Sequence, residues 1–119
     1  MEITNRYLED CVILDVAEDY FGYPKTVLFK AHVSKLLDDK QDTRHAHIVL
    51  NLSNVKMLDS FGIAAIISIL KLCREQKGTL TLYGLNEQVT RLIEMTHMDR
   101  VLDIWSSEAQ AVSQAVKSK

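Results

Sequence analysis

The residues with the clearest chemical meaning lie in one stretch, residues 51–65, with the sequence NLSNVKMLDSFGIAA. This stretch passes from an apolar run through a short loop to a predicted helix, so it predicts an exposed helix N-terminus. Asp59 is a favourable N-cap, because its carboxylate can accept backbone N–H groups of the first turn and meets the positive end of the helix dipole. Ser60 would then be the first helical residue, with its hydroxyl facing solvent or a partner. Gly62 would let another surface approach the backbone closely.

The other reactive side chains form no recognisable catalytic or metal-binding set. Among the four histidines, only His45 and His47 are close, at a spacing that places them on the same face of a strand. We expect exposed or capping histidines, with a metal site as the alternative. Neither GxGxxG nor GxxxxGKS/T occurs, no GxSxG surrounds Ser60, and no histidine is predictably placed to activate it. We therefore predict a protein that is not an enzyme, with no catalytic residue, no cofactor and no metal.

Strands and helices alternate along the chain on both sides of this stretch. Residues 46–52 carry no charged side chain and predict a central strand that is buried on both faces. Further strands are predicted at residues 11–17, 79–83 and 101–105, and helices at 25–38, 60–76, 86–96 and from 107 onward. This order predicts an α/β fold, with a sheet of four or five strands, mostly parallel in its centre, and helices packed mainly on one face.

Apolar spacing also predicts which side of two helices faces the core. In the helix that begins at Ser60, the predicted inward residues are Ile63, Ile66, Ile67 and Leu70. In the final helix they are Ala109, Val112 and Val116. Both assignments rest on the period of about 3.6 residues that a helix with one buried side shows.

Composition excludes several classes of function. The chain has 119 residues, of which 47% are hydrophobic, and no linker divides it, so we predict a single domain over residues 1–119. A formal net charge of −2 provides no basic surface for nucleic-acid phosphates. Cys11 and Cys73 are expected to be buried, reduced thiols. The N-terminus lacks the pattern of a signal peptide, and the longest apolar stretch is about half of the roughly 20 residues that span a bilayer, so we expect a cytoplasmic protein without membrane contact.

The stretch 51–65 resembles the signature of the STAS domain family, which includes the anti-sigma factor antagonists. The matching residues are Leu52-Ser53 and, after a short loop, Asp59-Ser60-Phe61-Gly62-Ile63. Residues 79–105, TLTLYGLNEQVTRLIEMTHMDRVLDIW, are similar to the end of the family pattern, and the likeness covers roughly residues 12–116. The resemblance implies a STAS-type mixed sheet and a regulatory role exerted through protein–protein binding.

The resemblance also implies which residues act. In anti-sigma factor antagonists, the serine after the signature aspartate is phosphorylated by a partner kinase of the histidine-kinase-like ATPase fold, which is also the anti-sigma factor. A PP2C-type phosphatase reverses the reaction. Carried over, Ser60 is the phosphorylated residue, and the partner-binding residues are Asp59, Ser60, Phe61, Gly62 and Ile63. Phosphorylation would add about −1.5 to −2 charges beside Asp59.

Two positions depart from the family pattern, and one alternative function stays open. Asn51 stands where many members carry Asp, and Phe61 fills a position that is commonly small, so Phe61 is either a core residue or an exposed anchor for the partner. A scaffold subunit of a larger sensory or other non-sigma signalling assembly would share the fold and the serine. With only about ten residues before the predicted strand at 11–17, the chain has no room there for a sensory domain. We therefore favour the antagonist, as a monomer or weak dimer.

Overall fold

The computed structural model describes residues 1–117. This part of the chain contains seven strands and four α-helices. In chain order they are β1 (Ile3–Tyr7), β2 (Val12–Val16), β3 (Tyr20–Phe21), α1 (Lys25–Asp38), β4 (His47–Asn51), β5 (Met57–Leu58), α2 (Ser60–Glu75), β6 (Thr79–Tyr83), α3 (Glu87–Met95), β7 (Asp103–Trp105) and α4 (Glu108–Lys117). Two 3-10 turns lie at Thr43–Ala46 and Met98–Arg100.

Five of the strands form one mixed sheet in the order β1-β2-β4-β6-β7. Strands β2, β4, β6 and β7 are parallel, whereas β1 pairs with β2 in the antiparallel direction. The middle strand is β4, and its first four residues are all buried. A central parallel strand is covered on both faces and therefore needs uncharged side chains on both. The predicted α/β fold and the predicted central strand are confirmed, while β1 adds an edge strand that the sequence did not predict.

The helices lie mainly on one face of the sheet, as expected. Helices α1, α2 and α3 share one hydrophobic core with that face, and α4 covers the opposite face with Ala111 and Ala115. Helix α2, which begins at Ser60, therefore lies on the face of the sheet that carries three helices. Ser60 is the first residue of this helix, and the buried residues of the helix pack in the main core.

The predicted buried face of α2 is largely confirmed. Ile63, Ile66 and Leu70 are buried, and Ile66 is fully so. Ile67 is only half-buried and packs at the edge of the core, while Ile69, which the prediction omitted, is fully buried. The core-facing stripe is therefore rotated slightly from the predicted one.

The predicted inward face of α4 is wrong in part, since only Val112 of its three residues packs against the core, at the edge. Ala109 is exposed and Val112 and Val116 are half-buried, whereas Ala111 and Ala115 are fully buried. The cause is a very close approach between helix and sheet. Two threonine hydroxyls of β6 donate hydrogen bonds to backbone oxygens of α4, with distances of 3.3 Å from Thr79 Oγ1 to Ala115 O and 3.0 Å from Thr81 Oγ1 to Ala111 O. Close packing at this separation favours methyl side chains over larger ones.

A second, two-stranded sheet lies beside the start of α2. It pairs β3 with β5 in parallel, with Tyr20 opposite Met57 and Phe21 opposite Leu58. Phe21 is fully buried and packs edge-to-face on Phe29 of α1, with ring centroids 4.9 Å apart. This buried aromatic pair anchors β3, so the segment before α1 is held next to the loop that leads into α2.

Candidate functional site

The start of α2 has the geometry that the sequence predicts. Asp59 is the N-cap in an extended conformation, and its Oδ1 accepts the backbone N–H of Gly62 at 2.9 Å. Ser60 is the first helical residue, and it is exposed. Among the side-chain hydrogen bonds of residues 1–117, none engages the Ser60 hydroxyl. The hydroxyl is therefore available to a group that approaches from solvent.

The second oxygen of the Asp59 carboxylate is held by a residue that the sequence did not indicate. Asp59 Oδ2 accepts the hydroxyl of Tyr20 at 2.9 Å. Because the hydrogen bond to the carboxylate stabilises the protonated phenol, it raises the pKa of Tyr20 above its usual value. Tyr20 and Asp59 are 39 positions apart, so the contact depends on the β3–β5 pairing.

Phe61 is exposed, so it is not a core residue, and its role as an anchor for the partner stays a prediction. It is 57% exposed, and its ring packs on Tyr23 with centroids 5.5 Å apart. Tyr20 and Met57 are also exposed. We call these four side chains the apolar rim: Tyr20, Tyr23, Met57 and Phe61. Exposed apolar side chains concentrated at one place are typical of protein-binding surfaces.

A shallow groove continues the rim on the side of α3. It has a volume of about 300 Å³ and lies between β5 and the outer face of that helix. Its lining residues are Met57, Leu58, Gln88, Val89, Arg91, Leu92 and Met95. Met95 is 70% exposed, so the apolar surface near Ser60 extends beyond the rim itself.

Two of the five expected partner-binding residues are not available at the surface. Gly62 is buried, and a Cβ at this position would clash with the backbone oxygen of Phe21. The surface that approaches Gly62 closely is therefore β3 of the same chain, not a partner. Ile63 is 7% exposed and belongs to the core. Gly62 and Ile63 are thus buried where partner-binding residues were expected, and partner binding by Asp59, Ser60 and Phe61 stays a prediction.

Asn51, the first departure from the family pattern, joins two neighbours through its amide. Its Nδ2 donates to Asp15 Oδ1 at 2.7 Å, and its Oδ1 accepts both the backbone N–H and the hydroxyl of Ser53, at 3.0 and 2.6 Å. An amide suits this place because it offers a donor to one neighbour and an acceptor to the other. Ser53 itself is exposed, and its hydroxyl is occupied by this bond.

Asp15 also belongs to a charged cluster on the α4 face of the sheet. Arg6 of β1 bonds the carboxylates of both Asp15 and Glu108, and the Tyr83 hydroxyl donates to Glu108 at 2.6 Å. The Arg6 guanidinium holds the pKa of both carboxyl groups below their ordinary values, while burial and the hydrogen bond to Glu108 raise the pKa of Tyr83. The cluster connects an edge strand, two inner strands and the first turn of α4, so its role is structural.

The expectation of exposed or capping histidines holds in part, because His97 is exposed and His47 is the C-cap of the 3-10 turn Thr43–Ala46. His45 and His47 are both buried rather than exposed. His45 Nε2 lies 2.9 Å from the Tyr7 hydroxyl, and His47 Nδ1 lies 3.0 Å from Thr79 Oγ1. Their partners are side chains of β1 and β6, which a linear sequence does not reveal. Over residues 1–117, no group of three or more His, Cys, Asp or Glu side chains is arranged to hold a metal ion.

Both cysteines are buried, as expected. Burial raises the pKa of the Cys73 thiol to about 12, so this side chain remains a protonated thiol that packs as an apolar residue. For the part of the chain that the structure describes, no helix has both the length and the apolar character needed to cross a bilayer.

Comparison with known proteins identifies the family. The model of the STAS domain matches residues 3–111, and the chain belongs to the STAS domain family. Proteins of Thermotoga neapolitana and Thermotoga maritima, both named as candidate anti-sigma factor antagonists, are 30% and 31% identical over 109 residues, which are 92% of this chain and 93% of each relative. The family resemblance inferred from residues 51–65 and 79–105 is therefore confirmed.

Solved structures show the same fold. The crystal structure of a candidate anti-sigma factor antagonist from Thermotoga maritima matches with a TM-score of 0.83 at 28% identity, over 95% of this chain and 93% of that one. The unphosphorylated anti-sigma factor antagonist SpoIIAA matches with a TM-score of 0.76 at 12% identity, over 95% of both chains. At that identity the second likeness concerns the fold alone.

Proposed function

We propose that this protein is an anti-sigma factor antagonist whose partner binding is controlled by reversible phosphorylation of Ser60. The kinase is the partner anti-sigma factor, of the histidine-kinase-like ATPase fold, and a PP2C-type phosphatase removes the phosphate. The observation that carries the proposal is the exposed Ser60 hydroxyl, which stands at the first position of α2 beside the Asp59 cap. The relatives in Thermotoga, named as candidate anti-sigma factor antagonists, support it.

The proposed switch works through charge. A phosphate on Ser60 brings about −1.5 to −2 charges to a position next to the Asp59 carboxylate. A partner that binds unmodified Ser60 would meet two adjacent anions after phosphorylation. It would have to desolvate the phosphate and place its own surface against both charges, which lowers the affinity. The phosphorylated form therefore releases the kinase partner. The helix N-terminus tolerates the added charge, so the fold of the antagonist itself is kept.

The apolar rim supplies the contact area of the proposed interface. Phe61 and Tyr23 are 57% and 63% exposed, and their rings are in contact with each other. Aromatic side chains at the centre of an interface commonly provide much of the binding energy. Because Phe61 replaces a residue that is commonly small in the family, the partner should present a matching pocket, and it should not be interchangeable with the partner of a member that lacks the ring.

Further support comes from the names of other relatives. The anti-sigma-B factor antagonist of Bacillus subtilis is 30% identical over 59 residues, or 50% of this chain and 54% of that protein. SpoIIAA, which shares only the fold, has been solved in unphosphorylated and phosphorylated forms. Interconversion of two such forms is what we propose for this chain at Ser60.

The proposal is tested by capturing the partner from native-cell extract with variants of Ser60. Ser60→Ala should retain the kinase partner, because it removes one exposed hydroxyl and leaves the Asp59 cap in place. Ser60→Asp and Ser60→Glu should retain less of it, since each adds a charge beside Asp59, although one charge mimics the phosphate only in part. Circular dichroism confirms that each variant is folded.

Ser107→Asp is the matched control, because it places the same charge at the exposed start of a different helix, where Ser107 Oγ accepts the Gln110 N–H at 3.2 Å. This variant should bind as the wild type does. If folded Ser60→Asp binds as tightly as the wild type, the charge mechanism is wrong. If the purified chain elutes from gel filtration as a large assembly rather than a monomer or weak dimer, the scaffold alternative replaces the antagonist.

A further inference from the structure

The loop before Asp59 is hydrogen-bonded to the segment that precedes α1. The backbone oxygen of Asp19 accepts the N–H groups of Lys56 and Met57, at 2.8 and 3.1 Å. The pairing of β3 with β5 continues this contact, and it reaches Asp59 itself through the 2.9 Å bond from the Tyr20 hydroxyl. Residues 19–22 are thus the part of the fold against which the Asp59 carboxylate is held.

Two glycines allow this close approach. A Cβ on Gly22 would clash with Asp59 Oδ2 and would lie 2.6 Å from Tyr20 Cε1, and a Cβ on Gly62 would clash with the backbone oxygen of Phe21. Neither position accepts a side chain unless its neighbours move. The Tyr20–Asp59 bond lies at the exposed surface, but it forms directly beside this closely packed contact, which sets the positions of both residues.

The bond decides where the second carboxylate oxygen points. Rotation about the last torsion of an aspartate is broad, so the side chain alone does not fix the plane of its carboxylate. Here two donors on different elements fix it, because Gly62 N–H holds Oδ1 and the Tyr20 hydroxyl holds Oδ2. Without the Tyr20 donor, Oδ2 would be free to accept from a nearby group, and aspartates commonly bond to groups close in sequence. The adjacent Ser60 hydroxyl is such a group.

We infer that Tyr20 is a positioning residue of the Ser60 switch, whose hydrogen bond keeps the Asp59 carboxylate on β3 and so leaves the Ser60 hydroxyl accessible to the phosphoryl donor. The inference rests on the proposed function of Ser60 and adds to it a residue from a separate segment of the chain. Tyr20 touches neither the reacting hydroxyl nor the phosphate. It acts through Asp59.

The positioning step is tested by amide hydrogen exchange in the purified chain. In Tyr20→Phe, the Gly62 amide should exchange about three- to tenfold faster than in the wild type, because its acceptor becomes mobile. The Ile66 amide, one turn further into α2, should keep its rate. Tyr23→Phe is the matched control, since it deletes the same hydroxyl from a neighbouring ring of the apolar rim and should leave Gly62 unchanged. An unchanged Gly62 rate in Tyr20→Phe, or an equal acceleration at Ile66, overturns the inference.

The consequence for Ser60 is tested by the rate of phosphate transfer from radiolabelled ATP, with the kinase activity of native-cell extract and each purified chain as substrate. Tyr20→Phe should lower the maximal rate at saturating substrate by about threefold or more with little change in KM, because a Ser60 hydroxyl bonded to Asp59 is turned away from the phosphoryl donor. Tyr7→Phe is the control for this assay, because it deletes a tyrosine hydroxyl that lies 2.9 Å from His45 Nε2, outside the apolar rim, and it should keep both KM and the maximal rate. A maximal rate for Tyr20→Phe equal to or above that of the wild type contradicts the inference. If the wild type is not phosphorylated at Ser60 at all, the proposed function fails, and the exchange of Gly62 still reports whether Tyr20 positions Asp59.

Discussion

Asn51 Nδ2 donates a hydrogen bond to Asp15 Oδ1 at 2.7 Å, across the parallel pair β2 and β4. The two residues are directly opposite in the register of the sheet. Asp15 is also bonded by Arg6, so its carboxylate is ionised and faces a donor on each side. An aspartate at position 51, as in many members of the family, would turn one of these donors into a second negative charge. The amide at this position is therefore matched to Asp15 in this particular chain.

Asn51→Asp should destabilise the protein by about 1–3 kcal/mol at neutral pH, because it replaces a bond to a charged group with repulsion from that group. Urea unfolding measures the change in the free energy of unfolding. Asn54→Asp is the control, since Asn54 is exposed in the following loop and makes the same change of charge. It should cost less than about 0.5 kcal/mol. Equal effects of the two substitutions would show that the Asn51–Asp15 bond contributes nothing to stability.

The Arg6 cluster should make stability depend on pH in the acid range. The hydrogen bonds of Arg6 lower the pKa of Asp15 and of Glu108 in the folded protein, from ordinary values of 3.8 and 4.5. A carboxyl group whose pKa is lowered by folding binds a proton more weakly in the folded than in the unfolded protein. Its contribution to the free energy of unfolding is complete above the unfolded pKa and is lost as the pH falls through the folded pKa. The free energy of unfolding should therefore fall as the pH is lowered from about 5 to about 2.

Arg6→Met isolates this contribution. At pH 7 the substitution should cost about 1–2 kcal/mol, a modest value because Arg6 and Glu108 are both 41% exposed and the pair is screened by solvent. The difference from the wild type should shrink as the pH falls, since both carboxyl groups then become protonated. Arg91→Met, which breaks an exposed ion pair with Glu87 on one helix, should give a small difference at every pH. A difference for Arg6→Met that stays constant between neutral and acid pH would contradict the assignment.

Two adjacent isoleucines of α2 should respond differently to truncation. Ile66 is fully buried, so Ile66→Ala should cost about 2–5 kcal/mol, out of a total stability that is usually about 5–15 kcal/mol. Ile67 is half-buried at the edge of the core, and Ile67→Ala should cost about 1–2 kcal/mol because less surface is lost. Urea melts of the two variants, made in the same buffer, give the comparison. An equal or larger loss at Ile67 would mean that the buried face of the switch helix is wrongly assigned.

The parts of the fold that sequence reasoning predicted correctly carry local signals. The central strand β4 is a run without charged residues, and the start of α2 is marked by an aspartate that caps the helix through Gly62 N–H. Each signal lies within a few residues of the feature that it predicts. The exposed position of Ser60 followed directly, because the residue after an N-cap begins the helix.

The parts that were missed depend on partners far along the chain. Strand β1 contains the polar residues Asn5 and Arg6, so it lacks the apolar alternation that would predict a strand. Asn5 is hydrogen-bonded to His32 of α1, and Arg6 donates to Asp15 of β2. Strand β3 has two residues, too few for a pattern, and the Tyr20–Asp59 bond spans 39 positions. In α4 the apolar spacing missed the two buried positions, Ala111 and Ala115, because the close contact of this helix with β6 is not visible in the sequence.

The most direct test of the central claim is the phosphorylation state of the protein in its own cell. The chain is purified from the native organism, divided, and treated or not treated with a PP2C-type phosphatase before intact mass measurement and peptide mapping. We expect two species that differ by one phosphate, with the modified peptide containing Ser60 and a single unmodified species after phosphatase treatment. Cells that express Ser60→Ala should yield only the unmodified mass. A phosphate that persists in Ser60→Ala, or that maps to another residue such as Ser53, would contradict the assignment of Ser60 as the switch.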